Sequence, residues 1–153
     1  MAPPLLPPDF RELLRLLNAH SAEYLLIGGY AVTYHGYPRP TGDMDLWVAL
    51  SPANTAKVIA ALRDYGFGSD AVSPDLFATE GRIVRIGVPP LRVEILSTIS
   101  GVSFADCFPK RVLALMDGIE VPVIDLASLR KNKAASGRHK DLSDLENLPA
   151  EGP

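Results

Sequence analysis

The sequence predicts an α/β (α+β) domain in which a mixed β-sheet is flanked by helices and closed by C-terminal helices. Three observations carry this. "YLLIGG" is a short continuous apolar run ending in two glycines, as a buried central strand leading into a tight turn would read. "DMDLWVAL" alternates before turning apolar, and the middle of the chain is rich in further strand-like runs. Segments of helical periodicity stand before, between and after these strands, an order that suits helices covering a sheet.

The elements follow in order. In "DFRELLRLLNA", Phe10, Leu13, Leu14 and Leu17 recur at helical spacing, with Asp9 as the candidate cap after two prolines. "YAVTYHG" provides about two helical turns after the glycines before "YPRPTG" breaks them. "SPANTAKVIAALRDYG" is the clearest helix, with Ser51 as cap, Pro52 at the first helical position and Gly66 as terminator. "GRIVRIGV" and "LRVEILST" flank a Pro-Pro pair and read as connected strands. Asp117-Gly118 between two apolar runs signals a hairpin. The tail reads as two helices parted near Gly137.

The chain has 153 residues, enough for one domain with a real core, expected over 1–150 with an extended arm at 1–8 and a loose tail at 149–153. No apolar run approaches the roughly 18 residues of a membrane span. The opening "MAPPLLPPDF" lacks the basic and apolar regions of a secretory signal, and a cytoplasmic location is expected. Cys107 is the sole cysteine, which removes an internal disulfide and a zinc cluster from consideration. A net charge of −3 argues against a dedicated nucleic-acid binder. Against that acidic balance, Arg130, Lys131, Lys133, Arg138 and Lys140 form a local basic segment: a solvated helix face or a phosphate-facing group.

Asp43 and Asp45 are two apart, so on a strand both side chains project from one face, about 6 to 7 Å apart. Carboxylates so placed repel unless a cation separates them, and a hard ion such as Mg²⁺ takes oxygen ligands together with phosphate oxygens and waters. Gly28 and Gly29 fall where a strand meets a helix, where backbone N–H groups can approach a phosphate. Glu94 lies between Val93 and Ile95, alone among apolar neighbours, and is costly there unless liganded, salt-bridged to Arg85 or Arg92, or turned to water on an edge strand.

"IGG", thirteen residues, then "DMDLWV" resembles the signature of the DNA polymerase β-type nucleotidyltransferase superfamily. "RPTGDMD" and "KAASGRHKDLSDL" resemble its minimal bacterial branch, which includes MNT-type and AbiEii-like toxin–antitoxin nucleotidyltransferases. The resemblance spans most of residues 24 to 148 and implies a mixed-sheet nucleotidyltransferase palm. It further implies Mg²⁺ (or Mn²⁺) at Asp43, Asp45 and Glu94, these three being the catalytic set, and an NTP over Gly28 and Gly29. Lys133 and Arg138 become phosphate-facing, and Arg39 and Thr41 contact the nucleotide or orient their loop. The acceptor is a hydroxyl on tRNA or other RNA, on a protein, or on a small molecule. The alternative is a catalytically silent nucleotide-binding or antitoxin-like module that binds a partner protein. Two departures stand out: Glu94 occupies a position often held by Asp, and the chain leaves little room for a separate acceptor domain.

His35, His139, Cys107 and the tyrosines Tyr30, Tyr34 and Tyr37 read first as structural, and Trp47 as either core or site wall. The phosphate loop, dinucleotide fingerprint, zinc-protease helix and nucleophile elbow motifs are all missing from the sequence.

Overall fold

A computed structural model describes residues 6–67, 72–77, 81–87 and 92–150. Helix α1 (Pro8–Ala19) precedes β1 (Tyr24–Ile27), α2 (Gly28–Tyr34), β2 (Asp43–Val48) and α3 (Pro52–Tyr65). After them come β3 (Ile83–Ile86), β4 (Arg92–Leu96), the short α4 (Phe104–Cys107), the hairpin β5 (Val112–Met116) and β6 (Ile119–Val123), and finally α5 (Leu126–Ser136) and α6 (His139–Asn147). Short 3₁₀ turns at Pro74–Phe77 and Phe108–Lys110, and α4 itself, are elements that no sequence signal announced.

The six strands form one mixed sheet in the order β3-β4-β2-β1-β6-β5. β2 runs parallel to β4 and β1 parallel to β6, while the other neighbours are antiparallel. Strand alternation divides β2: Met44, Leu46 and Val48 are buried in the core, and Asp43 and Asp45 take the other face together with Trp47, which is itself buried. Phe10, Leu13, Leu14 and Leu17 of α1 pack into the same apolar cluster as Val58, Ile59 and Leu62 of α3.

Local signals act largely as expected. Ser51 accepts from Asn54 N–H at 3.2 Å and Gly66 ends α3 at φ 127°. Asp117 and Gly118 both take positive φ, 50° and 80°, as a two-residue hairpin turn demands. Gly137 holds the left-handed conformation that closes α5. Asp9 is a correction: α1 starts at Pro8 after Pro7, no side chain caps it, and Asp9 sits in its first turn.

Residues near both chain ends, where they are described, make contacts with the domain. Leu6 is buried, and its N–H donates to Asp117 Oδ2 at 2.8 Å. The Pro149 carbonyl accepts from Arg130 at 3.1 Å. The remainder of both segments, and the Pro-Pro pair before β4, lie outside the described residues. No helix among the described residues is long and apolar enough to cross a membrane.

Candidate functional site

The sheet brings the predicted carboxylates together by register. Asp45 on β2 pairs with Glu94 on β4, Asp43 with Arg92, and Arg85 on β3 with Glu94. Asp43, Asp45, Glu94, Arg92 and Arg85 therefore share one face, turned away from buried Val93 and Ile95. Gly28, at the start of α2 just past β1, reaches the same face, with φ 67° and so little space that a Cβ would lie 2.9 Å from Asp45 Cγ. A Cβ on Gly29 would lie 2.7 Å from that of Thr41. Both glycines are thus required by close approach, the first to a carboxylate and the second to the loop before β2.

A cleft of about 500 Å³ opens over this face, within the range of about 300–1,000 Å³ usual for small-molecule sites. Gly28 and Gly29 form one side, and Asp45 and Glu94 lie within it. Lys133, Arg138 and Lys140 approach from α5 and α6, while Thr98, Ser100 and Asn132 add neutral hydrogen-bonding groups. No side chain caps the start of α2, so its first N–H groups are not claimed by one.

The three carboxylates differ. Burial raises the Asp45 carboxyl from 3.8 to about 6, helped by the negative charges of Glu94 and Asp43 and opposed by Lys140 and Lys133. Glu94 Oε1 meets Arg85 at 3.2 Å and Arg92 at 3.3 Å, so the salt bridges raised as alternatives to metal binding are both present. Asp43 does not line the cleft; its Oδ2 is held by Arg92 at 2.9 Å. Among the described residues no three Asp, Glu, His or Cys side chains are spaced to hold a metal as they stand. As donors the carboxylates nonetheless suit a hard divalent cation, whose charge would relieve the penalty on ionised Asp45.

The basic tail divides into distinct parts. Lys133 is buried and bonded to Asp144 at 2.9 Å and Asp141 at 3.3 Å. Arg138 donates to Asp141 at 2.7 and 3.3 Å, and Arg39 grips Asp144 at 2.7 and 2.8 Å. Burial disfavours the charged forms of Asp141 and Asp144, yet hydrogen bonds from these cations outweigh it and hold both carboxyls below the usual range. Lys133, Arg138 and Arg39 border the cleft as members of an ion-pair network, whereas Lys140 has no ion-pair partner among the described residues. Arg130 instead donates to carbonyls of Leu145, Leu148 and Pro149, tying the end of α6 to α5.

The remaining predicted residues fall outside the cleft or serve the scaffold. Thr41 does not line the cleft and donates to Asp43 O at 3.2 Å, orienting its own loop. Trp47 is core: its indole N–H donates to Ser97 O at 3.1 Å and its ring meets Phe104 edge-on. His35 contacts Ile124 O at 2.6 Å, and Tyr30 packs edge-on against Phe10. Cys107 is buried, which pushes its thiol up. Sequence reasoning left Lys140, Asn132, Ser100 and Thr98 out of the site; only Lys140 stood in a recognisable pattern, the basic segment itself.

No family model matches the chain, and no curated protein matches it. Solved structures do. A Thermotoga maritima protein, provisionally described as a nucleotidyltransferase, aligns with a TM-score of 0.60 at 16% identity, covering 93% of each chain. An antigenic nucleotidyltransferase-like protein from Paracoccidioides brasiliensis aligns at 0.54 and 14% identity, covering 91% of this chain and 72% of that one. The chain therefore has a nucleotidyltransferase-like fold.

Proposed function

We propose that the protein is a Mg²⁺-dependent nucleotidyltransferase that moves a nucleotidyl group from an NTP to an acceptor hydroxyl and releases pyrophosphate. The observation that carries this reading is the in-register pair Asp45–Glu94 at the base of a cleft walled by Gly28 and Gly29. The nucleotidyltransferase-like fold supports it.

In this reading Asp45 and Glu94 hold the cation, joined by Asp43. Bound Mg²⁺ (or Mn²⁺) would supply charge stabilisation for the attacking and leaving oxygens. Gly28 and Gly29 leave room for phosphate against the backbone. Lys140 faces the phosphates directly, and Lys133 and Arg138 contribute positive potential from within their network. Arg39 and Thr41 position the loop that delivers Asp43. Catalysis is then chiefly alignment and electrostatics.

The acceptor is RNA such as tRNA, a protein or a small molecule, and a toxin–antitoxin setting in the cytoplasm fits the MNT- and AbiEii-like resemblance. The test is transfer of label from each α-labelled NTP to these acceptor pools with Mg²⁺. Asp45→Ala should abolish transfer while the fold is retained, and wild-type-level transfer by that variant would remove the proposal.

One observation favours the silent-module alternative: Arg92 engages Asp43, and among the described residues the carboxylates are not gathered as a metal-binding set. Metal-independent NTP binding without turnover, alongside a stable complex with a partner protein, would select it.

A further inference from the structure

Arg92 is placed unlike any other cation near the cleft. It precedes Glu94 by two residues on β4, so both side chains leave the same face, and it stands in register with Asp43 on β2. Its guanidinium lies 2.9 Å from Asp43 Oδ2 and 3.3 Å from Glu94 Oε1, bridging two of the three carboxylates. Its Nε is buried with no hydrogen-bond partner among the described residues. A buried donor left unmet is unfavourable, so attraction to the carboxylates holds the guanidinium there at the expense of its own satisfaction. Such a placement leaves the side chain an incentive to move when the attraction is removed.

We propose that Arg92 is the resident counter-ion of the carboxylate face, and that a divalent cation completes its site only by displacing this guanidinium from Asp43. The inference rests on the nucleotidyltransferase reading. With Arg92 seated, Asp43 turns to its strand neighbour, and of the three sheet carboxylates Asp45 and Glu94 line the cleft. Arg92 is thus a positioning residue: it holds Asp43 out of the metal set and lowers the net negative charge that attracts the ion. Arg85 touches Glu94 alone, from a side chain 55% exposed, and so competes far less.

The consequence is a site with low affinity for the free ion. A Mg²⁺–triphosphate complex brings its own ligands and charge to the other side of the ion, and can drive the exchange that the bare ion does not.

The test is Mn²⁺ binding by isothermal titration, without nucleotide, to wild type, Arg92→Gln, Arg92→Lys and Arg85→Gln, with thermal melts to confirm folding. Removing a charge-assisted contact and its repulsion of the ion should tighten binding about tenfold in Arg92→Gln. Arg92→Lys, which keeps the charge but replaces the planar guanidinium with a compact, strongly hydrated ammonium, should fall between wild type and the glutamine variant, and it carries the test if Arg92→Gln does not fold. Arg85→Gln should change little, and adding Asp45→Asn to Arg92→Gln should abolish the gain. Equal affinity in wild type and both Arg92 variants would overturn the inference while leaving the metal site standing, as would an equal gain in Arg85→Gln. No Mn²⁺ binding in any variant would remove the metal reading itself, and the inference with it.

Discussion

Asp45 and Glu94 stand opposite one another on the parallel strands β2 and β4, and Asp45 alone of the three predicted carboxylates has no ion-pair partner among the described residues. Its carboxyl is raised from 3.8 to about 6, chiefly by burial. The folded state therefore holds that proton more tightly than the unfolded chain. The resulting stability is full below about pH 3.8 and is lost as pH rises through about 6. At pH 7 Asp45→Asn should be more stable than wild type by about 1–3 kcal/mol, since a tenfold change in proton affinity on folding corresponds to about 1.4 kcal/mol. Denaturant titrations at several pH values should show this difference grow between about pH 4 and 7. A constant difference would contradict it. Asp141 and Asp144, held below the usual range, act with the opposite sign: their stability is lost only in acid, below about 3.8.

Gly28→Ala tests the close approach at the cleft wall. Its φ of 67° disfavours any side chain, and the new Cβ would press on Asp45. A loss of about 1–3 kcal/mol is expected in chemical denaturation, with nucleotide binding lost as Asp45 is pushed aside. Unchanged binding in a folded Gly28→Ala protein would remove the glycine from the site.

Asp144→Ala tests the network that docks α6. Arg39, 105 residues away, and buried Lys133 would both lose a partner. Breaking a buried pair by removing one member costs about 3–5 kcal/mol, and a drop of that order in unfolding free energy is expected. Asp144→Asn, which still accepts hydrogen bonds, should lose less.

Lys140→Ala separates binding from scaffold. The residue is exposed, so stability should move by no more than about 0.5 kcal/mol. Affinity for Mg²⁺–NTP should fall about five- to tenfold, as expected for one charged phosphate contact. Unaltered affinity would place the phosphates away from α6.

Much of the fold was legible because local chemistry decides it. Ser51 with Pro52, Asp117-Gly118 and Gly137 act on the backbone within a few residues of themselves, and each structure they signal is present. The Asp-x-Asp and Glu94 faces followed from strand alternation alone. The charge pairing was not legible in the same way. Lys133 and Arg138 looked available for phosphate, but their neutralising carboxylates sit on the following helix, and Arg39 joins them from 105 residues upstream. Of these contacts only Arg138–Asp141, three residues apart on one helix end, left a sequence signal. Trp47 shared the parity of Asp45, yet it was claimed for the core by Phe104, on a four-residue helix with no periodicity to announce it.

The most direct test of the central claim, a metal–nucleotide site at Asp45 and Glu94, is thermal unfolding of wild type and Asp45→Ala with each NTP, with and without Mg²⁺. Ligand that binds the folded state raises its apparent stability by mass action. The account predicts a rise in wild type that requires Mg²⁺ with at least one NTP and is absent in Asp45→Ala. No rise with any NTP, or the same rise in the variant, would contradict it.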